Sequence, residues 1–183
     1  MCTLATCKPV IRQHARVGDY VVGTGCAKRQ RSGHLVYFMR VEEIMTFDQY
    51  WLDPRFECKR PNLRGSKMQA FGDNIYHTDP ATGVWLQESS YHSLRDGTPN
   101  PLNVAHDTKS EKVLVGSEFA YWGGMGRSLS EAQFCDYSGL DICARRGHRN
   151  HFPESLVSDF VSWLRSLGAS GCIGRPLDWT RTA

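Results

Sequence analysis

The sequence predicts an α+β domain built on a small barrel-like β-sheet with two or three peripheral helices. Five or six short runs rich in Val, Tyr and Phe have the composition of strands. Only two or three segments carry helical periodicity, and they do not alternate with the strands as a βαβ fold would demand. The 183 residues suit one domain spanning 1–183, and 40% hydrophobic with 22% charged residues is an ordinary globular balance.

Val17 to Thr24 and His34 to Val41 both read as strands. A long glycine-bounded loop joins them, so a hairpin is the economical pairing. In TFDQYWLDP, Thr46 and Gln49 have capping-box spacing and Pro54 follows Asp53, which predicts a short helix. A polar, basic loop runs from Phe56 to Lys67. AFGDNIYH, GVWLQES and KVLVGSEFAYWG then read as further strands, the first two separated by the turn residues of TDPATG. The loop from Ser89 to Lys112 exceeds the usual connection length, a property of functional loops. FPESLVSDFVSWLRSLG predicts the last helix. Pro153 suits its first turn, Leu156, Val157, Phe160, Val161, Leu164 and Leu167 form one apolar stripe, and Gly168 ends it.

Composition excludes several classes. No apolar run approaches the roughly 18 residues of a membrane span, so no membrane partner is expected. The N-terminus lacks the apolar segment of a secretion signal. Seven cysteines, odd in number, irregular in spacing and without a C-x-x-C pair, fit reduced thiols in a cytoplasmic protein. Cys143, His148 and His151 make a C-x4-H-x2-H cluster with no evident fourth zinc ligand, and they read as polar loop residues. No metal and no cofactor is therefore expected. Net charge is only +3, yet cations bunch at Lys28, Arg29 and Arg31, at Lys59 and Arg60 with Arg64 and Lys67, and at Arg145 and Arg146 with Arg149. These are solvated loops or, if they converge, a surface for phosphates.

The glycines after the first strand build no nucleotide fold. Gly23-Thr-Gly25-Cys-Ala-Lys28 has the wrong spacing for a P-loop, and a strand follows where a Rossmann fingerprint needs a helix. Polar chemistry concentrates in GDNIYH and HDT. Asp73, His77, His106 and Asp107 are candidates for two His–carboxylate pairs, suited to general acid–base work or to reading the edge of a base. The alternative is that the aspartates cap turns and the histidines are ordinary polar groups. Asn74 lies in the same turn. Trp85, Tyr91, Tyr121 and Trp122 offer faces on which a base can stack, and Gly123-Gly124 after Trp122 permits close approach; core packing is the competing role. Cys7 beside Lys8 is a candidate nucleophile without an evident base, and a packed thiol at a strand end is the simpler reading.

Gly18-Asp19-Tyr20-Val21-Val22 followed by Gly33-His34-Leu35-Val36 and Val41 resembles the hairpin of the PUA-like superfamily, including its EVE and YTH groups. CTLATCKPVIR, VGDYVVGTG, LVYFMRVEEIMTFDQYW, FGDNIYH, HDT, EFAYWGG and CARRGH, in that order, resemble the nucleotide modification associated domain 2 family over nearly the whole chain. The resemblance implies a further strand-like segment ahead of CTLATCKP in relatives, which this chain lacks, so a truncated N-terminus and a missing edge strand are expected. The resemblance implies a PUA-like barrel and a partner that is nucleic acid, in particular DNA, or a nucleotide. Joined to the residue reading above, this context gives the expectation of a domain that recognises a nucleotide or modified base, with Asp73, Asn74, His77, Trp85, Trp122 and Gly123 lining the pocket. Lys28, Arg29, Arg31, Lys59, Arg60, Arg145 and Arg146 would contact the backbone. The alternative is an enzyme of base hypermodification in which His106, Asp107 and His77 handle protons. A third is a non-catalytic interaction subunit.

Overall fold

The computed structural model describes residues 1–27, 30–144 and 147–177. In chain order its elements begin with β1 (Cys2–Leu4), α1 (Pro9–His14), β2 (Tyr20–Thr24), β3 (Leu35–Arg40), β4 (Glu43–Thr46) and α2 (Phe47–Leu52). There follow α3 (Lys67–Ala70), β5 (Tyr76–Thr78), β6 (Trp85–Gln87), α4 (Pro101–Asp107) and β7 (Lys112–Gly116). The last are β8 (Phe119–Tyr121), α5 (Glu154–Ser166) and β9 (Gly171–Cys172). Short 3-10 helices occupy Pro54–Lys59 and Gly123–Met125.

These elements form two compact units. One contains Tyr20–Arg40 and the chain from Ser117; the other contains Cys2–Asp19 and Val41–Gly116. In the first unit, β2 and β3 form the expected antiparallel hairpin, with Tyr20 opposite Arg40. The sheet order is β2-β3-β8-β9, and β9 runs parallel to β8. Leu35, Phe38, Ala120, Trp122, Leu129, Phe134, Phe160 and Leu164 make its core. Of the α5 stripe, Leu156, Phe160 and Leu164 are buried while Val157 is exposed, so the packed face is narrower than the pattern predicts.

In the second unit the order is β1-β7-β4, all antiparallel, and β5 pairs with β6 separately. Its core contains Phe47, Tyr50, Phe56, Ile75, Tyr76, Val113 and Val115. Helix α2 begins as the sequence predicts. Thr46 Oγ1 accepts from Gln49 N at 3.2 Å, and Gln49 Oε1 accepts from Thr46 N at 2.8 Å, a closed capping box.

Several expectations change. The run from Lys112 to Tyr121 is two strands in different sheets, broken at Ser117-Glu118. The Ser89–Lys112 loop contains α4, whose first N–H groups at Leu102 and Asn103 are capped by Asn100 Oδ1. A short helix, α1, follows Cys7-Lys8 where a strand end was expected. Mixed α+β architecture stands. Among the described residues no sheet closes into a barrel, and no helix is long and apolar enough to cross a membrane.

Candidate active site

Asp107, at the C-terminal end of α4, is the hub of the polar groups in the second unit. It is buried, and its carboxylate accepts four hydrogen bonds. Oδ1 accepts from the backbone N of Cys7 at 3.0 Å and faces His106 Nδ1 at 3.0 Å. Oδ2 accepts from Tyr76 OH at 3.0 Å and faces His92 Nδ1 at 3.2 Å. The other ring nitrogen of His92, Nε2, lies 4.0 Å from Cys7 Sγ. A thiol, an imidazole and a carboxylate thus meet in one cluster, with the sulfur within 4.8 Å of a carboxylate oxygen as well as beside the ring.

Each member is fixed from behind. Tyr76 OH, besides donating to Asp107, accepts from Gln87 Nε2 at 2.9 Å. The backbone N of His92 donates to Ser90 Oγ, and its carbonyl accepts from Asn103 Nδ2 at 2.6 Å. Arg12, fully buried at the middle of α1, donates to four carbonyls: Cys7, Ser110 and Lys112 at 3.1, 2.7 and 2.7 Å, and Asp107. One guanidinium therefore ties the Cys7 turn to the end of α4 and the start of β7. A planar fork with five donors can do this; a lysine cannot.

Cys7 itself is exposed. It has φ 55°, and Lys8 after it has φ 45°, ψ 47°, so two consecutive non-glycine residues are left-handed. Such a conformation costs about 1–2 kcal/mol per residue and persists only where its surroundings impose it. Here Asp107 holds the Cys7 N–H and Arg12 holds the Cys7 carbonyl, leaving only the sulfur free to project.

The electrostatics follow the geometry. Burial would raise the Asp107 carboxyl, but hydrogen bonds from His92, His106 and Tyr76 outweigh it and hold it at about 2. His92 is pushed up to about 10, first by its bond to Asp107 and then by its contact with Cys7. Burial lowers Arg12, opposed by the nearby charge of Asp107. Donor atoms of Cys7, His92 and Asp107 lie within 4.8 Å of one another, so the same set has the composition of a three-ligand metal site.

Of the expected His–carboxylate pairs, His106–Asp107 forms. His77 pairs instead with Glu88, 2.9 Å away, and stacks on Trp51 with ring centroids 4.2 Å apart. Asp73 accepts from Thr3 and Tyr50 hydroxyls, each at 2.8 Å. Buried Asn74 donates to the carbonyls of Tyr50 and Phe56, which closes the 3-10 turn below it. Trp85 packs edge-on against Phe47 in the core. Trp122 is 7% exposed, against Phe38, in the other unit. Gly123 has φ +58°, and a Cβ there would meet the Arg175 carbonyl at 2.2 Å. Arg31 donates to Gly126 O, Arg60 covers the Trp51 ring at 3.9 Å, and the carbonyl of Lys59 accepts from Asn74 N. Lys28, Arg29, Arg145 and Arg146 lie outside the described residues.

The residue missed by sequence reasoning is His92. Its only signal is its place in the long loop after Ser89, since 85 positions separate it from Cys7. An exposed aromatic pair stands beside it in the chain. Phe71 and Tyr91 stack with centroids 4.4 Å apart at 16°, and they are 51% and 63% exposed.

Fold and site together define an α+β protein with a Cys–His–Asp relay. The family model described as nucleotide modification associated domain 2 matches residues 1–183, and the chain belongs to that family. Its role is accordingly associated with nucleotide modification. Neither a curated protein nor a solved structure matches the chain.

Proposed function

We propose that this domain is a thiol-dependent enzyme of nucleotide modification, with Cys7 as nucleophile, His92 as proton carrier and Asp107 as the group that orients the imidazole. The observation that carries this reading is the relay from Cys7 Sγ through His92 to Asp107, with the thiol exposed on a left-handed turn. In the reaction, Cys7 Sγ adds to an electrophilic carbon of the base or its substituent. The bond from that carbon to its leaving group breaks, and the leaving group takes a proton from His92. Water then attacks the same carbon, displaces Cys7 Sγ and returns a proton to His92, so that a hydroxyl replaces the leaving group. The stacked Phe71 and Tyr91 rings supply a platform for the base, a contact worth about 1–3 kcal/mol.

The same platform favours the second reading, in which the domain recognises a nucleotide or modified base in DNA without altering it. In that reading Lys28, Arg29, Arg31, Lys59, Arg60, Arg145 and Arg146 contact phosphates, and binding weakens as salt rises. The PUA-like relation belongs here too, supported by the β2–β3 hairpin followed by β4 and α2.

Mass spectrometry of nucleosides from cells expressing the wild type, Cys7→Ser or His92→Asn separates the two. A base mass that appears with the wild type and vanishes in Cys7→Ser is expected. Identical nucleosides in all strains, together with salt-sensitive oligonucleotide binding, would reject the enzyme and favour the reader.

A further inference from the structure

The first unit holds a second constellation that the relay does not use. Between Met125 and Glu154 the described residues contain no helix or strand beyond single bridges, a stretch well past the roughly 12–15 residues at which unstructured loops become uncommon. Its reversals use left-handed Gln133, Ser138 and Gly139. Leu129 and Phe134 anchor it, the latter edge-on to Phe160 at 4.9 Å. Within it a knuckle closes on itself: Tyr137 and Leu140 exchange backbone bonds, and Ile142 N donates to Phe134 O at 3.2 Å. This folding brings Cys135 and Cys143 to the same side, with their sulfurs 3.7 Å apart.

We infer that Cys135, Cys143 and Asp141 form a structural zinc site that staples this segment. Their donor atoms lie within 4.8 Å of one another, and all three residues are half-buried. Tetrahedral zinc with bonds of about 2.3 Å sets two thiolate sulfurs about 3.8 Å apart, which is the spacing already present. A disulfide would need about 2.05 Å, and the two cysteines are free thiols. Asp141 is oriented for the task. One of its oxygens accepts from Cys143 N at 2.7 Å, and a carboxylate has a second oxygen to offer the ion. Two soft sulfurs and one carboxylate select zinc over magnesium or calcium. A fourth position is left for water or for His148 or His151. Arg149, between those histidines, reaches back to the Asp141 carbonyl.

Metal content of the full chain, purified reduced and without added chelator, tests this directly. About one zinc per chain is expected. It is retained in Cys7→Ser, which separates this site from the relay, and bound at least about tenfold more weakly in Cys135→Ser, Cys143→Ser and Asp141→Asn. Cobalt substituted for zinc should show a thiolate charge-transfer band in the wild type that is lost with either cysteine. A wild type that carries no zinc and takes up neither zinc nor cobalt overturns the inference, whatever the variants do. Zinc that survives the double cysteine replacement, or departs in Cys7→Ser, overturns it equally.

Discussion

Asp107→Asn is the sharpest perturbation of the relay, because it keeps shape and removes charge. The carboxylate receives four donors, two on each oxygen. An asparagine has one acceptor oxygen, so in either orientation its amide NH2 faces two of those donors. Hydrogen bonds to a charged group are worth about 1.5–3 kcal/mol each, so losing two costs on the order of 3–6 kcal/mol before relaxation. Relaxation has an available route. With the amide toward Oδ2's place, Tyr76 can turn its proton away and His92 can shift its proton from Nδ1 to Nε2. Stability then falls by about 3 kcal/mol, but His92 is left presenting N–H to the sulfur as a neutral imidazole.

The chemistry suffers more than the fold. Without the carboxylate, His92 should drop from about 10 toward its ordinary 6.5. At about pH 7.5 the imidazolium share then falls from nearly complete to about one tenth. NMR titration of His92 and the rate of iodoacetamide alkylation at Cys7, followed by peptide mass spectrometry, read the two effects. A roughly tenfold slower alkylation with a His92 titration near neutrality is expected. If His92 still titrates near 10, or Cys7 alkylates as in the wild type, the carboxylate does not govern the pair and the relay reading fails.

Other outcomes follow from the same geometry. Arg12→Met strips donors from four carbonyls and should lower stability by about 3–5 kcal/mol in denaturant melts; Arg12→Lys should recover only part, and full recovery would show that charge alone suffices. The raised His92 contributes stability that is complete below about 6.5 and lost as pH rises through about 10. The depressed Asp107, faced by His92, His106 and Tyr76, contributes stability complete above about 3.8 and lost as pH falls toward about 2. Thermal melts should therefore decline from neutral toward alkaline pH in the wild type and flatten in His92→Asn; parallel slopes would contradict the assignment. His106→Asn should change Cys7 alkylation by less than about threefold, since His106 is half-exposed and bonds Oδ1, not the Oδ2 that faces His92. An effect as large as that of Asp107→Asn would transfer the proton role to His106.

What the sequence made legible was local. The β2–β3 hairpin, the Thr46–Gln49 capping box and the α5 stripe are encoded within a few residues of where they act. Helix α4 also had a local signal, since Asn100-Pro101 is an N-cap followed by a first-turn proline, but its 7 residues are too few to display an apolar period. The split between β7 and β8 had only a weak one. Gly116-Ser117-Glu118 interrupts the apolar run, but a short polar step also fits one strand with alternating faces, and it is the pairing of each half in a different sheet that separates them. The site was half-legible for the same reason. Cys7 and Asp107 were visible as types of residue, but a contact across 85 positions depends on how β1, β5 and α4 pack. Asp73 lies near His77 in sequence, whereas strand pairing delivers Glu88, two positions past His77's own partner Leu86 and just beyond β6, to its ring.

The left-handed turn at Cys7 separates a functional site from a structural one. If the turn served only the fold, glycine would occupy it, because glycine adopts φ 55° without the Cβ clash that other residues bear. An exposed cysteine adds little packing in return. Cys7→Gly should therefore relieve about 1–2 kcal/mol of strain, offset by about 0.5–1 kcal/mol from the freer unfolded chain. The net is a gain of roughly 0.5–1 kcal/mol, or a melting temperature higher by about 1–4 °C. Cys7→Ala keeps the strain and loses the sulfur, so it should not share the gain. Calorimetry on the three proteins under one buffer decides the matter. A glycine variant more stable than wild type, and inert in the nucleoside assay, means stability is given up to hold a thiol where His92 can reach it. A glycine variant less stable than the alanine one would mean that the sulfur is there to pack, and the case for chemistry at this turn would go with it.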